Sequence, residues 1–346
     1  MRILTRGDLD GMTSSVLLTM AEKITEIRFA HPKDVQDGRV PCTEEDIVVN
    51  LPFVPGCGLW FDHHVSEEAK VDGIGGFKGR FEVAPSAARV VFNYYEKPEF
   101  ERFQELLEST DALDSAQLAP EDVSNPQRWI LLGYTLDPRS GLGPEFQKYF
   151  RWLVEYVKEV PIEKILQHPE VAKRAKRVRD ESQETAKFLM AHAKQDGNVI
   201  VTDLRGVQGM PVGNRFLVYT LFPTANVEMR ILSGHQGQTV IAAGHSIFNR
   251  TCPVNIGKLC GEFGGGGHNG AGTCQLPADK AEAQLKEVLA RLKEGSPQSP
   301  KAPTKAAKKS PKAPKSPKRA AKKSPKKSPK KAAKKKAPAK RRKSRK

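Results

Sequence analysis

The sequence predicts an α/β protein with a parallel-sheet N-terminal domain, a helical linker, a smaller α/β C-terminal domain and a disordered basic tail. Short β-branched or aromatic runs alternate with helical patterns in the first half, which is typical of a parallel sheet flanked by helices. A charged, mostly helical stretch and a second α/β alternation follow, and the end of the chain lacks acidic and aromatic residues. We therefore place the domains at 1–125, 126–195 and 196–295, and the tail at 296–346.

The first half provides four predicted strands and three predicted helices. Ile3 and Leu4 open the first strand, which ends at a turn between Gly7 and Gly11. A helix follows the turn, because apolar residues recur at helical spacing at Met12, Val16, Leu17, Met20 and Ile24. The other strands are predicted at Ile27–Ala30, Ile47–Val49 and Leu59–Phe61, and the other helices at Ala84–Tyr95 and Phe100–Leu113.

The second half repeats this alternation after the linker, whose helical pattern is interrupted by prolines. We predict strands at Val199–Thr202, Val227–Leu232, Val240–Ala243 and Thr273–Leu276. We predict helices at Gly213–Phe222, Val254–Phe263 and Ala278–Lys293, the last of them amphipathic.

Charge separates the tail from the rest of the chain. Residues 296–346 hold 23 Lys and Arg and no acid, whereas the first 295 residues hold 34 Lys and Arg against 40 Asp and Glu, a net charge of −6. The tail repeats Ser-Pro-Lys five times, resembles linker-histone tails, and has too few apolar groups to offset its ordering entropy. We expect it to be disordered and to bind DNA, RNA or polyphosphate with little sequence preference. The alternative is a polycation that serves solubility or binds acidic partners in general.

Composition also argues against membrane and secreted proteins. No apolar run approaches the roughly 18–20 residues that span a bilayer, and the N-terminus lacks the apolar segment of a secretory signal. The five cysteines are scattered without a CxxC pair, which argues for a reducing compartment and against a disulfide framework or a zinc knuckle. We expect a cytoplasmic protein with no membrane partner, and association with the nucleoid is the alternative location.

Acidic and histidine residues follow the predicted strands, at the sheet edge where α/β proteins bind their ligands. Asp8 and Asp10 follow the first strand, Asp62-His63-His64 follow the Leu59–Phe61 strand, and Asp111 and Asp114 lie farther along the chain. Carboxylates combined with imidazole suit Mn²⁺ or Mg²⁺, and Mn²⁺ most readily. For Asp8 and Asp10 taken alone, ordinary turn formation is the competing explanation.

Three motifs in this order resemble those of the DHH phosphoesterase superfamily. They are Asp8-Leu-Asp10-Gly, Asp62-His63-His64 and Gly264-Gly-Gly-Gly-His268-Asn-Gly-Ala-Gly272. With the segments 5–11, 50–53, 60–64 and 244–250, the chain is most similar to the bacterial group labelled exopolyphosphatase-related. The resemblance covers about residues 1–293. It implies a DHH domain, a helical linker and a DHH-associated C-terminal domain, with a phosphate ester bound in the cleft between the domains.

The resemblance also implies a metal site that holds one or two Mn²⁺ or Mg²⁺ ions. Asp8, Asp10 and His63 would be ligands, together with a downstream aspartate for which we prefer Asp111 to Asp114. This chain departs from the superfamily at two ligand positions, where many members place an Asp or His. The two departures are Arg6 and Asn50. Arginine cannot bind a cation, and asparagine offers only one neutral oxygen, so the sequence supports binding of a second ion less strongly.

Other residues would contact the substrate. His64 would face the phosphate as an acid or electrostatic stabiliser, and Asp62 would orient the histidine pair. Arg6 either clamps a substrate phosphate or forms an ion pair with Asp8 or Asp10. The resemblance implies that the glycine-rich motif contacts a phosphate or base through Gly265, Gly266, Gly267 and His268. The alternative is that this motif is a flexible loop.

One further group of residues follows the predicted strand at Val240–Ala243. His245 is a candidate substrate contact, with Arg250 and Asn255 nearby, and a structural histidine is the alternative. The leading hypothesis is a metal-dependent phosphoesterase acting on a nucleotide, a short single-stranded nucleic acid or polyphosphate, with a nucleic-acid-binding tail. The alternative is a catalytically degraded protein of the same fold that binds a nucleotide or nucleic acid.

Overall fold

The computed structural model describes residues 1–136, 141–211 and 213–294. Within these residues, the first sheet is formed by β1 (Arg2–Thr5), β2 (Glu26–Phe29), β3 (Asp46–Val49), β4 (Leu59–Asp62) and β5 (Gly79–Phe81). The spatial order is β2-β1-β3-β4-β5, and all neighbouring pairs are parallel. Side chains alternate between two cores, with Ile3, Ile47 and Phe61 in one and Leu4, Val48 and Trp60 in the other. The predicted parallel sheet is confirmed.

Five α-helices surround this sheet: α1 (Leu9–Ala21), α2 (Pro32–Gln36), α3 (Val65–Val71), α4 (Ala87–Tyr95) and α5 (Gln104–Asp114). Two strand-to-helix turns carry strong N-caps. Asp8 caps α1 by accepting a hydrogen bond from the Gly11 amide at 2.9 Å, and Ser86 caps α4 by accepting one from the Arg89 amide at 3.1 Å. These two capped turns fix the backbone beside the candidate metal ligands Asp8 and Asp10 and at the start of α4.

Helix α6 (Pro120–Ser124) precedes the linker. The linker is helical, as predicted, and contains α7 (Arg128–Tyr134), α8 (Pro144–Glu159), α9 (Ile162–Gln167) and α10 (Pro169–His192). Helix α8 joins the core of the first sheet through Tyr149, Phe150 and Leu153. Its Arg151 guanidinium also donates two hydrogen bonds to the Ile27 carbonyl, at 3.0 and 2.7 Å. The domain limits at 125 and 195 stay a prediction.

The second sheet contains β6 (Ala193–Asp196), β7 (Val199–Asp203), β8 (Val227–Ser233), β9 (Thr239–His245), β10 (Gly266–His268) and β11 (Ala271–Leu276). Its order is β10-β11-β9-β8-β7-β6, in which β7 and β8 are parallel and the other neighbours are antiparallel. The helices of this half are α11 (Leu217–Leu221), α12 (Ile256–Glu262) and α13 (Ala281–Lys293). The predicted second α/β unit is confirmed.

The structure corrects two local predictions in this half. Helix α11 begins at Leu217, so Gly213–Phe216 is a loop and not the first turn of a helix. The glycine run is also partly strand β10, which pairs with β11. A Cβ at Gly265 would lie 2.0 Å from the Thr273 carbonyl oxygen, and one at Gly267, where φ is +154°, would lie 2.2 Å from that of Ala271. Close packing of the hairpin therefore requires these glycines.

The described helices include none that is both long and apolar enough to cross a membrane. The predicted disordered tail, residues 296–346, lies outside the described residues.

Candidate metal centre and its cavity

Three side chains from separate elements converge beyond the carboxyl end of the first sheet. Asp10 lies in the first turn of α1, His63 directly follows β4, and Asp114 is the last residue of α5. The Nε2 atom of His63 lies 3.1 Å from Asp114 Oδ2 and 3.7 Å from Asp10 Oδ2. All three ligand atoms lie within 4.8 Å of one another. This spacing suits a single divalent cation bound between them.

The Asp10 carboxylate is fully buried and held by backbone amides. Ala87 donates to Oδ2 at 2.9 Å, and Ala88 donates to Oδ1 at 2.7 Å, both from the first turn of α4. Burial is the main cause that raises the pKa of Asp10, to about 7, and the nearby charge of Asp114 adds to it. A buried carboxylate next to a second one requires a cation, either a proton or a metal ion.

His63, the third side chain of the cluster, also indicates a site for a cation. Its Nδ1 donates to the Ala84 carbonyl oxygen at 3.0 Å, which leaves the lone pair of the neutral ring on Nε2. That Nε2 atom is buried, faces the carboxylates, and has no well-oriented hydrogen-bond partner among the described residues. Burial lowers the pKa of His63, but the contact of its Nε2 atom with the Asp114 carboxylate and the charge of Asp10 outweigh it and raise the pKa to about 9. The cluster therefore fits Mn²⁺ or Mg²⁺.

The geometry favours Asp114 over Asp111, the residue preferred from the sequence, and the identity of the downstream ligand stays a prediction. Ser86 Oγ donates to Asp111 Oδ1 at 2.6 Å, and Arg89 donates to Asp111 Oδ2 through Nε at 2.9 Å and Nη2 at 2.5 Å. Both carboxylate oxygens of Asp111 are thus engaged by α4 and its cap. Asp114 is the downstream aspartate that lies against His63.

Asp8 is also engaged by other groups. Its Oδ1 accepts hydrogen bonds from the Gly11 amide and from Asn50 Nδ2, both at 2.9 Å, and its Oδ2 lies 3.2 Å from Arg6 Nε. Burial raises the pKa of Asp8, and Arg6 opposes that shift. Of the two alternatives for Arg6, the ion pair with Asp8 is present, and the guanidinium also lines the cavity described below. Asn50 Oδ1 is buried without a partner in the described chain, so the predicted carbonyl ligand stays a candidate.

The double variant Arg6→His plus Asn50→Asp is expected to bind more metal, from about one ion per chain to about two. It removes two of the three N–H donors that engage Asp8, leaving the Gly11 amide, and adds two ligand groups. Asn50 has φ of +56°, and aspartate tolerates that left-handed conformation nearly as well as asparagine. Calorimetric titration with Mn²⁺ measures the stoichiometry. Arg6→Lys is the matched control, because it keeps a cation there and leaves the count unchanged. An unchanged count in the double variant would show that neither position binds metal.

His64 and Asp62 form a second pair at the same edge. His64 Nδ1 donates to Asp62 Oδ1 at 2.7 Å, and Asp62 is fully buried while the His64 side chain is 35% exposed. Burial lowers the pKa of His64, but the hydrogen bond and charge of Asp62 outweigh it and raise the pKa. Asp62 therefore orients His64 and favours its protonated form, whereas His63 is oriented by the Ala84 carbonyl.

A cavity of about 670 Å³ opens beside this cluster, within the usual size range of ligand sites. Arg6, Asp8, His63, His64 and Asp114 form one part of its wall. Other parts of the wall come from α10 and from the loop that precedes α11, through Val178, Glu181, Ser182, Gly213, Asn214, Arg215 and Phe216. This loop is not evident from the sequence, because the pattern of Gly213–Phe222 predicts a helix. The signal that could have found it is Gly213-Asn214-Arg215, a glycine followed by two polar residues.

The residues predicted to bind substrate from the second half lie elsewhere, and within the described residues the cavity lining includes none of them. His268 is exposed on β10, and Asn255 caps α12 by accepting from the Lys258 amide at 2.9 Å. His245 Nε2 lies 2.9 Å from the Val254 carbonyl oxygen, which supports its structural alternative. Arg250 Nη2 donates to the Ala116 carbonyl at 2.9 Å and so connects the second half to the end of α5. Substrate binding by His268 and Gly265–Gly267 stays a prediction.

No protein-family model and no curated protein matches the chain. Among solved structures, the pGpG-specific phosphodiesterase PggH from Vibrio cholerae is 35% identical, with 85% of this chain and 99% of that chain covered and a TM-score of 0.75. The DHH domain of a protein assigned to a family of ribosomal proteins is 15% identical, with 86% and 87% covered and a TM-score of 0.54. An exopolyphosphatase-related protein from Bacteroides fragilis is 12% identical, with 85% and 92% covered and a TM-score of 0.43.

Proposed function

The chain belongs to the DHH phosphoesterase family, and on this basis we propose that it is a metal-dependent phosphodiesterase that hydrolyses short linear dinucleotides such as pGpG. The observation that carries the proposal is the buried Asp10–His63–Asp114 cluster, in which His63 Nε2 faces two carboxylates. The likeness to a pGpG-specific phosphodiesterase over 99% of that chain supports the choice of substrate. Short single-stranded nucleic acid and polyphosphate are the other substrates to compare.

The roles of the chain's own groups follow from their positions. Asp10, His63 and Asp114 would hold the ion, which supplies Lewis acidity to the phosphate and to the attacking water. His64, whose protonated form Asp62 favours, lines the cavity and would stabilise charge on the phosphate or donate a proton to the leaving oxygen. Arg6 lines the same wall and would bind an oxygen that does not react.

Turnover by the purified full-length chain tests this function. We expect hydrolysis of pGpG with Mn²⁺, slower hydrolysis with Mg²⁺ and none in excess chelator, because the cluster combines imidazole with carboxylates. Adenosine 3′,5′-bisphosphate, a single-stranded RNA oligomer and polyphosphate serve as comparison substrates. Full turnover in chelator would refute the metal requirement, and a chain that leaves pGpG intact while cleaving another substrate would refute the substrate.

A second candidate, a nucleotide-binding protein without turnover, is favoured by one observation. Both oxygens of Asp8 are engaged by N–H donors, from Gly11 and Asn50 on one side and Arg6 on the other. If every substrate stays intact with Mn²⁺ present while pGpG still binds in a calorimeter, this second candidate replaces the first.

We also propose that residues 296–346 bind nucleic acid through phosphate contacts. The support is the sequence alone, with 23 Lys and Arg and no acid in this segment. Such binding is expected to be independent of the chemistry in the cavity, because no metal or catalytic candidate lies in the segment.

A further inference from the structure

The loop before α11 places a second cation on the cavity wall. Arg215 lines the cavity together with Asn214 and Phe216, and its side chain is exposed. Among residues 1–136, 141–211 and 213–294, its guanidinium lies within ion-pair distance of no carboxylate. Arg6, by comparison, is paired with Asp8 at 3.2 Å. Arg215 is therefore a cation of this cavity whose charge is still available to an anion.

Local contacts hold Arg215 in this place. Asn214 Oδ1 accepts from the Phe216 amide at 3.0 Å, which fixes the turn, and the Leu217 amide donates to the Asn214 carbonyl at 3.1 Å. The Arg215 guanidinium lies over the Phe216 ring, 4.6 Å from its centroid. A long side chain that is already ordered loses less entropy when it binds a ligand.

The chemistry of a linear dinucleotide matches this second cation. A molecule such as pGpG has an internal phosphodiester and a 5′-terminal phosphate, which carries the higher charge. The metal cluster and His64 would serve the diester, and Arg6 shares its charge with Asp8, so the terminal phosphate needs a cation of its own. Guanidinium binds phosphate oxygens in a bidentate manner.

We propose that Arg215 binds the 5′-terminal phosphate of the dinucleotide and so makes the enzyme selective for 5′-phosphorylated substrates. The proposal rests on the proposed function and deepens it, since it assigns the part of the substrate that does not react. It adds the loop before α11 to the substrate contacts expected from the second half.

The test compares pGpG with GpG, which lacks only the 5′ phosphate. In the wild-type full-length chain with Mn²⁺, kcat/KM for pGpG is expected to exceed that for GpG by about 10-fold to 100-fold, as charged hydrogen bonds typically provide. Arg215→Ala is expected to remove this preference by lowering kcat/KM for pGpG while leaving GpG within about twofold. Arg215→Lys should recover part of it, because lysine keeps the charge without the bidentate geometry.

Arg205→Ala is the matched control, since Arg205 belongs to the same half but pairs with Asp203 at 2.6 Å and with Glu282. It should leave the pGpG to GpG ratio unchanged. A ratio that survives Arg215→Ala, or an equal loss for both substrates, would overturn the proposal. If neither substrate is hydrolysed, the proposed function fails, and calorimetric binding of pGpG and GpG to the same variants still decides whether Arg215 holds the terminal phosphate.

Discussion

Asp114→Asn is expected to lower pGpG hydrolysis by at least about 10³-fold and to abolish tight Mn²⁺ binding. Asp114 Oδ2 lies 3.1 Å from His63 Nε2, and its side chain is 22% exposed at the cavity, so the replacement changes charge with little effect on packing. An asparagine retains one neutral oxygen, which is a poor substitute for a carboxylate in a site that must bind a divalent cation. Metal content after desalting and steady-state kinetics measure the two effects.

Asp111→Asn is the matched control, because it makes the same change three residues earlier on the same helix. Its carboxylate pairs with Arg89 and Ser86, so the variant should lose about 1 kcal/mol of stability and keep its bound metal. The reverse result, with metal lost from Asp111→Asn and kept in Asp114→Asn, would support the preference for Asp111 and contradict the assignment of Asp114 as a metal ligand.

Removal of residues 296–346 is expected to abolish most binding to duplex DNA while leaving pGpG turnover within about twofold. The full-length chain should bind duplexes of different sequence with similar affinity, because its cations contact phosphates. That affinity should fall by about 10³-fold or more between 50 and 200 mM salt. Fluorescence anisotropy with labelled duplexes measures the first effect, and the dinucleotide assay measures the second.

Substrate length provides the internal comparison for this truncation. A tethered polycation raises the local concentration of a long polyanion, so the truncated chain should lose activity on polyphosphate or long RNA more than on pGpG. A collapse of pGpG turnover would show that the segment contributes to the folded site, and the boundary at 295 would then be wrong.

The sequence predicts the first sheet and the meeting of two candidate site residues because parallel strands impose simple rules. Strands β1 and β4 end at the same edge, so Asp10 and His63 could be expected to meet from the order of the motifs alone. The sequence could not decide whether Asp111 or Asp114 is the candidate metal ligand, and the reason is physical. Residues three apart lie on the same face of a helix, and the partners that engage Asp111 come from α4.

In the second half, local sequence patterns were ambiguous. Gly213–Phe222 has apolar residues at spacings that suit a helix, but Asn214 binds the Phe216 amide and delays the helix until Leu217. The glycine run likewise suggested an open ligand loop, whereas two of its residues are required by backbone packing within the hairpin. Side-chain hydrogen bonds and backbone packing of this kind depend on the tertiary structure, so the spacing of apolar residues along the sequence does not predict them.

The hydrogen bond from Arg250 to the Ala116 carbonyl joins the second half of the chain to the residues directly after Asp114. Ala116 has φ of +54°, so the backbone at this point is held in a conformation that few residues adopt, and it is coupled mechanically to the Arg250 loop. A displacement of the Arg250 loop would therefore be transmitted through this hydrogen bond to the end of α5. Thermodynamic linkage would make such an effect reciprocal: the factor by which dinucleotide changed the affinity for metal would also be the factor by which metal changed the affinity for dinucleotide.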